Sequence, residues 1–132
     1  MADSAIIPAS SIRSFRDLKV WQEALDLAVR VHQAAELLPV THRFEIGREI
    51  RRSSISIPSN VAEGFNRHSR KTYRLHVAIA LGSSAELETQ LEIVSRRSLL
   101  SRDQINPLFE HVSTVARLAQ GLWRSLGPKR SG

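Results

Sequence analysis

Apolar residues return every three or four positions along most of this chain and almost never alternate, so the pattern predicts helices and no sheet. In the first periodic segment Val20, Trp21, Ala24, Leu25, Ala28, Val31, Ala35 and Leu38 share one face; Ser14 or Asp17 is the expected cap and Pro39 the stop. The second segment runs from about Arg43 to Glu63 on Ile46, Ile50, Ile57 and Val61. Pro58 lies inside it, where a helix either kinks or gives way to a new one. Gly64 and Asn66 mark the break that follows.

A third segment, with Ser69 as N-cap, aligns Tyr73, Val77, Ala80, Ser84, Leu87, Leu91 and Val94. It carries a second apolar face in Leu75, Ile79, Gly82 and Ile93. One bundle core needs only one such face, so Leu75, Ile79 and Ile93 are the expected oligomer interface. Ser101 and Gln104 have capping-box spacing for a fourth segment, on Ile105, Leu108, Val112, Val115, Leu118, Leu122 and Leu126. Gly127-Pro128 ends it, and Pro107 falls within its first turns.

Four helices of this kind, joined by short connections, predict an all-α fold: an antiparallel up-down-up-down four-helix bundle over residues 14–127. The flanks, 1–13 and the basic tail 128–132, are expected to be disordered. The 132 residues suit one domain. The absence of cysteine excludes a disulfide scaffold, a Cys-ligated zinc site and a thiol nucleophile. No apolar run reaches the roughly 18 residues of a membrane span, and MADSAIIPAS has no basic region before its apolar patch. A soluble cytoplasmic protein is therefore expected.

Charge changes the picture more. The net is +6, and residues 43–74 alone contribute a net of +5, from eight Lys/Arg against three Asp/Glu. These are Arg43, Arg48, Arg51 and Arg52 early in the second segment, and Arg67, Arg70, Lys71 and Arg74 around the turn into the third. Arginine suits bidentate phosphate contacts, and few aromatics accompany the cluster, so the pattern favours backbone binding of a polyanion without base stacking. The plainer alternative is a solvated face in which Arg48 and Arg52 pair with Glu45 and Glu49.

Other chemistry finds no support in the letters. No Glu is followed three residues later by His, as a bundle di-iron site requires, and there is no HExxH, GxSxG or phosphate-binding glycine loop. No catalytic residue, metal or cofactor is expected. A polar stripe does stand out: Glu49, Ser53, Ser56, Asn60 and Glu63 recur at heptad spacing, facing a candidate row of Ser83, Glu86 and Gln90 on the third segment. Two solvated faces would explain these residues, as would a partly buried hydrogen-bonding seam that sets helix register.

The segments RRSSISIPSNVAEGFNRHSRKTY and IALGSSAELETQLEI, with the opening FRDLKVWQEALDLA, resemble the bacterial four helix bundle protein family. That family includes proteins encoded in 23S rRNA intervening sequences, often labelled S23-type, and is related to the accessory variability determinants of diversity-generating retroelements. The resemblance spans about residues 15–126. It implies a ring-like homopentamer of antiparallel bundles, a basic ring that binds RNA or DNA, and, in the retroelement branch, a reverse transcriptase partner. It places Arg51, Arg52, Arg67, Arg70, Lys71 and Arg74 among the basic residues that could serve. Ser56, Pro58, Asn60, Glu63, Glu86 and Gln90 fall at positions that look architectural. It transfers no catalytic residue. The reading favoured here is a nucleic-acid-binding oligomer; the alternative is a protein–protein scaffold or accessory subunit.

Overall fold

A computed structural model describes residues 11–128. Among these residues there are five α-helices, one 3-10 turn and no strand: α1 (Lys19–Glu36), α2 (Val40–Arg43), α3 (Ile46–Phe65), α4 (Arg70–Arg96) and α5 (Arg102–Ser125). The parts of 1–13 and 128–132 expected to be disordered lie mostly outside the described residues. Within the described part, Ile12 packs against the core.

Ser14 is a cap, but of the 3-10 turn Phe15–Asp17 and not of α1. Its hydroxyl accepts from the turn's amides while Asp17 accepts from the Ser14 N–H, closing a capping box. α1 then starts behind Leu18, with no side-chain cap. Pro39 ends α1 and at once caps the single turn α2, and α3 begins at Ile46, three residues later than the expected Arg43. Pro58 neither splits nor ends α3, which is continuous through it. Proline has no N–H to give the Ser54 carbonyl, and the buried Ser54 hydroxyl donates to Arg51 O at 2.8 Å. Ser69 caps α4, and Ser101 with Gln104 forms the capping box of α5.

The turn from α4 into α5 closes by a Schellman pattern: Leu99 N–H reaches Val94 O and Ser98 N–H reaches Ser95 O, both at 3.0 Å. It places Ser98 at φ 55°, a left-handed position that glycine would occupy without strain.

Each long helix packs on two others: α3 on α1 and α4, and α5 on α4 and α1. The enclosed core consists of Leu27, Val31, Ile50, Ile57, Val61, Val77, Leu87, Leu91, Val94, Ile105, Val112 and Val115, with smaller residues between them. α1 and α5 are also joined by a polar bridge. His111 Nε2 donates to Glu23 Oε1 at 3.0 Å, and Arg30 Nη1 donates to His111 Nδ1 at 2.8 Å. No helix among the described residues is long and apolar enough to cross a membrane.

Candidate nucleic-acid interface

α3 and α4 make the largest helix contact, and small or polar side chains let them meet closely. Ser53 Oγ lies 2.9 Å from Gln90 Oε1 and 3.2 Å from Glu86 Oε1. A hydroxyl has one proton to give. A Gln90 amide turned to present its NH₂ would satisfy all three groups, with Gln90 donating to Ser53 and Ser53 to Glu86. Ser56 and Ser83 hydroxyls are 2.7 Å apart, and Asn60 Nδ2 donates to Ser56 O at 2.9 Å. Asn60 Oδ1 then accepts from His76 Nδ1 at 3.2 Å. Partner numbers fall along α4 as they rise along α3.

Six of the eight seam candidates therefore meet: Ser53, Ser56, Asn60, Ser83, Glu86 and Gln90. Glu49 and Glu63 do not. Continuing the partner series past Gln90 reaches Ile93, which has nothing to donate to Glu49; Glu63 turns outward to Arg67 at 3.1 Å. His76 was missed, although it stands seven residues before Ser83 and fourteen before Gln90, on the same heptad stripe. Gly64 explains how α3 approaches the start of α4, because a Cβ there would lie 2.7 Å from His76 Cβ. Tyr73 packs edge-on against Phe65 with ring centroids 6.0 Å apart, and burial raises its phenol pKa to about 12.

The eight basic candidates do not form one patch. Arg51 and Arg67 are separated by about 24 Å of helix at 1.5 Å per residue, which puts Arg43, Arg48, Arg51 and Arg52 towards the start of α3 and the other four at its far end. At the start, Arg43 Nε donates to Leu38 O at 3.1 Å and Arg51 Nη1 to Arg43 O at 3.3 Å, fastening the α1–α2–α3 corner. Arg48 and Arg52 are exposed, and among the described residues neither is within ion-pair distance of Glu45 or Glu49.

At the far end the cations converge on the last turn of α5. Arg70 donates to Ser125 O and, at 3.4 Å, to Gly127 O. Arg74 Nε donates to Trp123 O at 3.1 Å, and its guanidinium lies 3.6 Å from the Trp123 ring centroid. Both arginines thus cap the C-terminal end of α5, Arg74 sharing the Trp123 carbonyl with the Leu126 N–H at 3.2 Å. Lys71 is exposed beside them, and Arg67 is held by Glu63. Trp123 and these α5 carbonyls had no signal in the sequence pattern, since they meet Arg70 and Arg74 across 49 to 57 residues.

A carbonyl partner fixes a guanidinium in place but leaves its charge whole. The α3–α4 turn thus presents four cations against one paired carboxylate, Glu63. Chemically this is an anion-facing surface. Among the described residues no group of three or more His, Asp or Glu could hold a metal ion.

The oligomer candidates Leu75, Ile79 and Ile93 are exposed at 60%, 44% and 44%. Between them Gly82 has, among the described residues, no neighbour within 4 Å of a would-be Cβ.

A family model described as 23S rRNA-intervening sequence protein matches residues 16–121. Among solved structures, this chain is similar to a protein of unknown function from the S23 ribosomal protein family of Bacteroides thetaiotaomicron VPI-5482. The two are 25% identical with a TM-score of 0.75, over 80% of this chain and 95% of that one. No curated protein matches.

Proposed function

Because this chain belongs to the 23S rRNA-intervening sequence protein family, we propose that it is a non-catalytic, oligomeric nucleic-acid-binding protein. Its long helices form an antiparallel up-down-up-down four-helix bundle, and its basic surface around the α3–α4 turn grips the sugar-phosphate backbone of RNA or DNA. One observation carries this reading: Arg70 and Arg74 are held by neutral carbonyls, so together with Lys71 and Arg67 they offer preplaced charge. Preplacement lowers the entropy cost of ordering long side chains on a phosphate.

In the oligomer the Leu75–Ile79–Gly82–Ile93 face packs on a neighbouring copy, and Gly82 admits its close approach. A helix glycine costs about 1 kcal/mol relative to alanine, and no contact among the described residues repays that at Gly82. A homopentameric ring would multiply the charge of each subunit. The exposed apolar face also favours a second reading, a scaffold that docks a protein such as a reverse transcriptase, with the arginines keeping it soluble.

Fluorescence anisotropy with a structured RNA and a duplex DNA, at low and near-physiological salt, separates the two. Neutralising four phosphates per subunit gives a salt slope of about −3.6 on logarithmic axes. Arg67→Glu with Lys71→Glu should abolish binding while leaving the oligomer and its melting temperature intact, because neither side chain caps a helix. Absence of binding at low salt would overturn the proposal and leave the scaffold.

A further inference from the structure

The sequence pattern argued against base stacking, because aromatics are few near the basic cluster. The structure brings one there from the far end of the chain. Trp123 and Arg74 form a cation–π stack, and Arg74 and Lys71 line two clefts beside it. One cleft, of about 530 Å³, runs between α4 and α5 along Ala78 and the half-buried Trp123, with Leu75 shared between its wall and the proposed oligomer face. The other, of about 490 Å³, is walled by Leu126, Gly127 and Pro128, with Arg70 at its edge. Among the described residues neither lining includes a carboxylate. Both volumes fall in the range of small-ligand pockets.

Apolar walls beside a flat cation and a mobile ammonium suit a ligand with a planar aromatic body and an attached anion. A guanidinium stacked on an indole is itself a flat surface on which another ring can stack. Gly127 keeps the space open, since a Cβ there would lie 3.4 Å from Arg74 Nη2 and 3.1 Å from Arg124 O. An aliphatic ligand would use the walls but not the stack; a duplex would use the charges but could not deliver a base.

We infer that the Arg74–Trp123 stack and its flanking clefts hold an unpaired nucleobase of a single-stranded nucleic acid, with Lys71 on the adjoining phosphate. This rests on the nucleic-acid reading above and narrows it: the polymer is gripped where a base is free.

The test uses the native protein and three probes: a single-stranded RNA oligomer carrying one 2-aminopurine, a duplex of the same length, and adenosine monophosphate. Anisotropy reports binding, while 2-aminopurine and Trp123 emission report stacking, the latter in a Trp21→Phe background. The single strand should bind with quenching of both emissions, the duplex should bind without it, and the mononucleotide should fail to saturate. Trp123→Leu should weaken single-strand binding about tenfold, within the span for losing one stacked base, and leave duplex binding unchanged. Single-strand binding with unchanged 2-aminopurine emission would overturn the inference and leave the backbone-binding reading standing. So would saturable quenching by the mononucleotide alone, which would reassign the cleft to a free nucleotide. No binding of either polymer would overturn the nucleic-acid reading and this inference with it.

Discussion

Replacing Gly64 by alanine should weaken the fold even though alanine is the better helix former. The new methyl would lie 2.7 Å from His76 Cβ, 3.0 Å from Tyr73 Cδ1 and 3.2 Å from Tyr73 O. Carbon atoms pack best at about 3.5–4.0 Å, and neither a Cβ nor a carbonyl can rotate aside. The start of α4 must therefore move by most of an ångström, stretching the His76–Asn60 bond. Overpacking of this kind costs about 1–3 kcal/mol, against a propensity gain of about 1 kcal/mol at most. The net loss is up to about 2 kcal/mol, or up to roughly 7 °C in melting temperature for a chain of this size. Gly121→Ala is the internal control. It lies in α5 with nothing among the described residues within 4 Å of a would-be Cβ, so it should gain about 0.8–1 kcal/mol. Thermal unfolding of the two variants by circular dichroism reads both numbers. A Gly64→Ala protein that melts as high as Gly121→Ala would refute the close-approach argument.

Asn60→Leu removes the link between Ser56 and His76 and should cost about 1–2 kcal/mol in urea unfolding; an equal or higher melting temperature at unchanged oligomeric mass would mean the seam contributes nothing. Ser101→Ala deletes half of the α5 capping box, with an expected loss of about 1 kcal/mol in the same assay. Tyr73 is the only tyrosine in the chain, so phenolate absorbance follows one group. Burial stabilises its neutral form and raises its pKa from 10.0 to about 12; the unfolded chain ionises first, so this contribution is present below pH 10 and is lost as pH climbs to 12. Tyr73→Phe should flatten that alkaline decline, and a Tyr73 titrating near 10 in the folded protein would contradict it.

The stripes of α4 and α5 were legible because a buried helix face repeats at 3.6 residues whatever it packs against; in α1 the stripe was misplaced at Leu25, which is exposed at 40%, while Leu27, not expected in the core, is fully buried. Ser69 and Ser101 were legible as caps because that signal is local. α2 was not, since four residues after a proline are too short to show a period. The two halves of the polar seam could be seen on their separate helices, and matching heptad spacing paired them. The arginines were legible as charge but not as partners. Arg70 and Arg74 bind backbone carbonyls, which every residue carries, so no letter advertises them. Arg43 and Arg51 likewise read as part of a patch when they are fasteners of a corner.

The bridge between α1 and α5 also sets an inventory of protons. Arg30 can only donate, so His111 must accept at Nδ1, and its single proton sits on Nε2 facing Glu23. In this geometry both ring nitrogens are committed to side chains of another helix. A second proton would set an N–H against a guanidinium, and a metal would have to displace one neighbour or the other. This Glu–His pairing, with Arg30 behind it, ties α1 to α5 through side chains alone.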